Sequence, residues 1–134
     1  MIVSEDEIAR FASDWIAETI RGERGTRDGD DVFADQFIDL TFRLPDVALA
    51  IALKIAELSD HPWVLENLGA GALETILHQK KEAVLPVYEA AGNRMASFRE
   101  ALDSVWPQGS EKQEHWLRFY ALREELRLRP DGLA

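Results

Sequence analysis

The sequence predicts an all-α fold, a compact bundle of about seven short helices arranged as stacked helix hairpins. Three observations carry that expectation. Apolar residues recur at three- and four-residue spacing through most of the chain. No run of alternating β-branched residues makes a convincing strand. Glycine and proline fall between the periodic segments, where helices start and stop.

The first helix opens on Ser4, with Glu7 three residues on, the pattern of a capping box. Ile8, Phe11, Ala12, Trp15, Ile16, Thr19 and Ile20 then share one face. Gly22 to Asp31 is a polar loop with three glycines. A second helix is expected over Asp31 to Arg43, with Phe33, Phe37, Leu40 and Leu44 as its apolar stripe. Pro45 begins a third helix in its first turn, where a missing N–H costs nothing. Ten of the thirteen residues from Asp46 to Leu58 are apolar, which places this helix in the middle of the bundle.

Asp60 and Pro62 mark the next start, and Trp63, Val64, Leu65 and Leu68 make a short apolar helix. Gly69 and Gly71 are expected to interrupt it, with Leu73, Ile76 and Leu77 continuing beyond. Pro86 kinks or begins the segment Lys80 to Ala91, Gly92 closes it, and Asn93 caps the next helix. That helix carries Met95, Phe98, Leu102 and Val105 and ends before Pro107. The last helix runs from about Glu111 to Leu128, with Trp116, Phe119, Tyr120, Arg123 and Leu126 on one side, and residues 129–134 are a fraying tail. No fixed internal period emerges. The expected organisation is a single helical domain over 1–134, with acidic helices in 1–44 and a helical core in 45–128.

Charge divides the chain unevenly. Residues 1–67 hold 15 acids and 6 bases, whereas residues 68–134 hold 10 acids and 9 bases. The formal net charge is −10, the opposite of a nucleic-acid-binding footprint. Asp31, Asp35 and Asp39 recur every four residues and so lie along one strip of the second helix. Such a strip is either a solvated face or a docking surface for a basic partner. Asp28 and Asp30 stand next to it in sequence.

No constellation of residue types for catalysis appears. Cysteine is absent, which removes thiolate metal sites and cysteine nucleophiles. Asp28-Gly29-Asp30-Asp31 lacks the ligand spacing of a calcium loop. Glu74, His78 and Glu82 align at four-residue spacing, but no second histidine joins them as a zinc site requires. No serine sits in a Gly-x-Ser-x-Gly turn. His61 reads as a helix cap, His115 as a surface or edge residue. Gly69-Ala70-Gly71 lacks the pattern of a phosphate loop and suits a tight bend or a close helix contact. Of the four tryptophans, Trp106 precedes a proline at a helix end and is the candidate for an exposed binding anchor.

Two stretches resemble a known family. PDVALAIALKIAELSDHPWVLENLGAGALETIL, residues 45–77, contains a Gly-x-Leu-Glu-x-x-Leu block at Gly71 to Leu77, and FREALDSVW, residues 98–106, contains a Phe-Arg-x-x-Leu-x-x-Val-Trp block. Together they resemble a bacterial helical family catalogued as a domain of unknown function. Ala72 stands where that family usually has proline. The resemblance implies an all-helical fold and no established activity, and it leaves the acidic N-terminal third outside. It singles out Glu74 as the charged residue of the glycine block, expected to hold the bend as a cap or ion pair.

The functional expectation is a protein-binding module and not an enzyme, with no cofactor and no metal. It is a candidate immunity or inhibitor protein that neutralises a basic protein partner, possibly a toxin, through Asp28, Asp30, Asp31, Asp35 and Asp39, with Trp106 as an anchor. The alternative is a non-catalytic helical scaffold that self-associates as a homo-oligomer. The N-terminus has acids where a secretory signal has bases, and the most apolar stretch, residues 47–58, holds Lys54 and Glu57. Neither a membrane nor a nucleic acid is expected as a partner, and the expected location is the cytoplasm.

Overall fold

A computed structural model describes residues 4–23, 31–106 and 112–129. Within them the chain is helical: α1 (Glu5–Glu23), α2 (Val32–Arg43), α3 (Pro45–Leu58), α4 (Pro62–Leu68), a π-helical turn (Gly69–Leu73), α5 (Glu74–Lys80), a 3-10 turn (Lys81–Val84), α6 (Leu85–Arg94), α7 (Ala96–Leu102) and α8 (Glu114–Arg127). No strand occurs among the described residues.

The helix starts follow local chemistry. Ser4 and Glu7 form the capping box, with Glu7 N–H donating to Ser4 Oγ at 3.1 Å and Ser4 N–H donating to Glu7 Oε1 at 3.2 Å. Those hydrogen bonds from Ser4 hold the Glu7 carboxyl below the usual range. Pro45 and Pro62 both stand in first turns. His61 caps α4 by accepting from Trp63 N–H through Nδ1 at 3.1 Å.

Helix α3 is the central element, packed against α1, α2, α5, α7 and the π turn. It buries Ala48, Leu49, Ile51, Ala52, Ile55 and Ala56. On one side α1 and α2 close over it, where Phe11 meets Phe33 and Phe37 edge-on at centroid distances of 5.6 and 6.0 Å. On the other side α6, α7 and α8 assemble around fully buried Tyr88, Phe98 and Phe119.

Four expectations are corrected here. Gly69 and Gly71 do not interrupt the helix. The chain passes through them as a π turn, in which Glu74 N–H reaches back five residues to the Gly69 carbonyl. Gly92 does not end α6, which runs on to Arg94. Gly92 lies under Leu126, whose Cδ1 would be 2.7 Å from an added Cβ, so its role is close helix packing. Asn93 does not cap α7, whose N-cap residue is the extended Met95, and instead accepts from Arg129 at 2.6 Å. His115 is not at the surface: it lies in the first turn of α8, 3% exposed, and burial lowers its pKa.

Candidate functional site

The acidic strip and a mainly apolar hollow meet on α2. Its residues sort into three faces. Phe33, Phe37 and Leu40 turn inward to α1 and α3. Ala34, Phe37, Ile38 and Thr41 line a cavity. Asp35, Ile38, Asp39 and Phe42, spaced i, i+3, i+4 and i+7, make one outward face. On that face Ile38 is 56% exposed and Phe42 57% exposed.

Asp31 occupies the N-cap position of α2, half-buried at the cavity's edge. Asp35 is exposed, and Asp39 is exposed with its carboxylate accepting from Arg43 Nε at 2.7 Å. Asp28 and Asp30 lie outside the described residues. Trp106 lies apart from α2, in the non-helical chain just beyond α7, and is 64% exposed. Its backbone N–H donates to Glu74 Oε1 at 2.9 Å, so Glu74 ties the chain leaving α7 to the start of α5.

The cavity has a volume of about 280 Å³ and lies between α1, α2, α4 and the π turn. Trp15, Phe37, Trp63 and Ala72 supply apolar wall, and Glu18, Thr19, Thr41, Asn67 and Thr75 supply polar groups. Its frame is held by long-range hydrogen bonds. Glu18, 8% exposed, accepts Phe33 N–H at 3.0 Å on one carboxylate oxygen and Ala34 N–H at 2.8 Å on the other. One side chain of α1 thereby serves two donors at the start of α2, where a negative charge also meets the helix dipole favourably. Trp63 Nε1 donates to the Thr19 carbonyl at 3.1 Å and joins α4 to α1. Asn67 Nδ2 donates to the Trp63 carbonyl at 2.8 Å.

The two glycines of the π turn face different surroundings. A Cβ on Gly69 would stand 1.9 Å from the Ala101 carbonyl oxygen, so α7 crosses against bare backbone there. A Cβ on Gly71 would meet nothing within 4 Å, and Gly71 lines the cavity. Tyr88 Oη donates to the Leu73 carbonyl at 2.7 Å and takes up a carbonyl at the end of the turn.

Residues 23–126 match a family of unknown function (DUF6869). The chain belongs to this family. DUF6869 thus covers more than the two blocks at 45–77 and 98–106: it takes in the acidic helix α2 and nearly all of α8, and leaves out only α1 among the helices. The expectation that the N-terminal third stands outside the family is corrected for residues 23–44, while residues 1–22 lie outside the match. No curated protein and no solved structure matches the chain. In this member of DUF6869, α1 contributes Trp15, Glu18 and Thr19 to a cavity whose other described walls come from the family region.

The cavity escaped sequence reasoning. Trp15 and Phe37 read there as core, and Trp63 as one of several apolar aromatics. A usable signal existed in Gly69-Ala70-Gly71, because two glycines inside an apolar helix demand a reason. Glu18 carried no signal, since a glutamate facing the start of the next helix looks like any other helix glutamate.

Proposed function

We infer that this DUF6869 protein is a protein-binding module that docks a basic protein partner on the outward face of α2. The observation that carries the reading is the exposed pair Ile38 and Phe42 set among Asp35 and Asp39. An apolar centre with a charged rim is the composition of a protein interface. Rim carboxylates speed encounter with a basic partner and make binding weaken with salt. The excess of acids in residues 1–67 supports the same reading. An immunity or inhibitor protein, acting in the cytoplasm on a toxin-like target, fits that chemistry, and the module itself performs no reaction. No helix among the described residues is long and apolar enough to cross a membrane.

A second reading, self-association as a helical scaffold, draws on Trp106 and Leu117, which are 64% and 56% exposed. The test compares pull-downs by the wild-type chain, D35K/D39K and I38D/F42D at low and high salt, with light scattering of the free protein. A basic protein held by the wild type at low salt and lost by both variants is the expected outcome. Equal recovery by all three sinks the placement on α2. A stable homo-oligomer that W106A dissociates favours the scaffold.

A further inference from the structure

We propose that the cavity between α1, α2 and the π turn binds a small organic cation, a primary ammonium or guanidinium carried on an apolar body of about one ring. The proposal stands whether or not the outer face of α2 docks a protein.

Size comes first. A dry cavity of about 150 Å³ holds benzene. The volume here is about 280 Å³, enough for a ring and a short polar arm. The walls suit such a body, with two tryptophans, Phe37 and Ile38 among them. Indole faces also attract cations.

The polar groups decide the charge. Three of the donors at the cavity are already committed to the protein. Trp63 Nε1–H is held by the Thr19 carbonyl, one Asn67 Nδ2–H by the Trp63 carbonyl, and the Thr41 hydroxyl proton by the Ile38 carbonyl at 2.5 Å. Those residues keep acceptors in the Asn67 Oδ1 and the lone pairs of Thr41 Oγ1, beside the second Asn67 Nδ2–H, so the sign of the charge is set by the acids of the lining. The ionisable side chains among the described lining residues are Glu18 and Asp31, both acids. A carboxylate has about four acceptor sites, so an acid that already accepts hydrogen bonds can take another. An acceptor-rich, acidic hollow selects a ligand that donates hydrogen bonds and carries positive charge, and it rejects a carboxylate of the same shape.

The π turn keeps the space open. Packing does not require glycine at Gly71, because an added Cβ meets no atom within 4 Å. Any larger side chain there would occupy the hollow. π turns inside helices occur frequently at functional sites, where the widened backbone makes room.

The experiment titrates the protein with three probes that share a phenylethyl body: phenethylamine, 2-phenylethanol and phenylacetate. Tryptophan fluorescence and the amide resonances of Gly71 and Asn67 report binding. The expected result is saturable binding of phenethylamine, at least about tenfold tighter than of the alcohol, with phenylacetate weakest. Gly71→Leu abolishes that binding with the melting temperature retained. Asp31→Asn, which removes the charge and keeps the shape, weakens it several-fold and keeps the test valid if Gly71→Leu fails to fold. Equal binding of amine and carboxylate overturns the charge selection. No saturable response to phenethylamine, or unchanged affinity in both variants, overturns the site.

Discussion

On the side of the π turn that faces α7, backbone lies against backbone; on the side that faces α1 and α2, the same turn borders a cavity. The two regions use similar material. Both are built from short helices with aromatic side chains and at least one hydrogen-bonded charged residue. In the α6–α8 region, Arg123 lies over the rings of Phe119 and Tyr120 at 5.3 and 5.0 Å and donates to the Val105 carbonyl at 3.1 Å. Arg127 pairs with Asp103 at 2.9 Å, and Arg129 reaches Glu89 at 3.1 Å. The arginines of the last helix are used within the fold. In the α1–α2 region a buried acid caps a helix, and the outward acids face solvent. The arginines at the last helix thus bridge to other helices, whereas on α2 Asp39 pairs along its own helix with Arg43 and stays exposed beside Asp35.

Gly69→Ala breaks the comparison most severely. Its Cβ would overlap a backbone carbonyl that cannot rotate away, and a loss of about 3 kcal/mol is expected in denaturant unfolding. Gly71→Ala, two residues on, should instead raise stability by about 0.5–1 kcal/mol, since alanine favours a helical backbone and the space is open. Equal effects of the two substitutions would contradict the difference between the two sides.

Glu18→Ala should cost about 2 kcal/mol by leaving two N–H groups of α2 without their acceptor. Hydrogen exchange should accelerate first at Phe33 and Ala34. A uniform change across all helices would mean that Glu18 is not a local cap. Tyr88→Phe sharpens the account of the π turn. It removes only the hydroxyl that holds the Leu73 carbonyl, and about 1 kcal/mol is expected.

The smallest effect concerns pH. Burial, aided by the charges of Lys81 and His78 and opposed by Glu82, lowers the pKa of His115. The unfolded chain takes a proton on this histidine near about 6.5, and the folded chain only at lower pH. The unfolded state thus binds more protons in the interval between, and stability rises with pH across it. The stabilisation is full above about pH 6.5 and is lost as pH falls through the lowered folded value. His115→Leu should flatten the pH dependence of the unfolding free energy between about pH 7 and 5. An unchanged slope would locate the acid sensitivity elsewhere.

Much of the helical layout was legible from residues alone, for local reasons. Ser4 with Glu7, Pro45, His61 and Pro62 act over one turn of chain, and such signals survive any tertiary context. The apolar run after Pro45 marked the central helix because a helix apolar nearly all round must be covered. Gly92, Asn93 and His115 were misread because their partners, Leu126 and Arg129 among them, lie tens of residues away or on another helix. The candidate cavity was illegible for the same reason: it is a gap among helices, and a gap has no residue of its own.

By itself, then, the sequence determined that this protein is helical, where most helices begin, that its acids gather in the first half, and that it shares blocks with a helical family. Only the tertiary structure decided what each glycine is for, which acid is buried as a cap and which face water, and where space remains. The physical reason is range: periodicity, proline and capping act within a few residues, whereas packing contacts and buried hydrogen bonds depend on which distant segments the folded chain brings within a few ångströms.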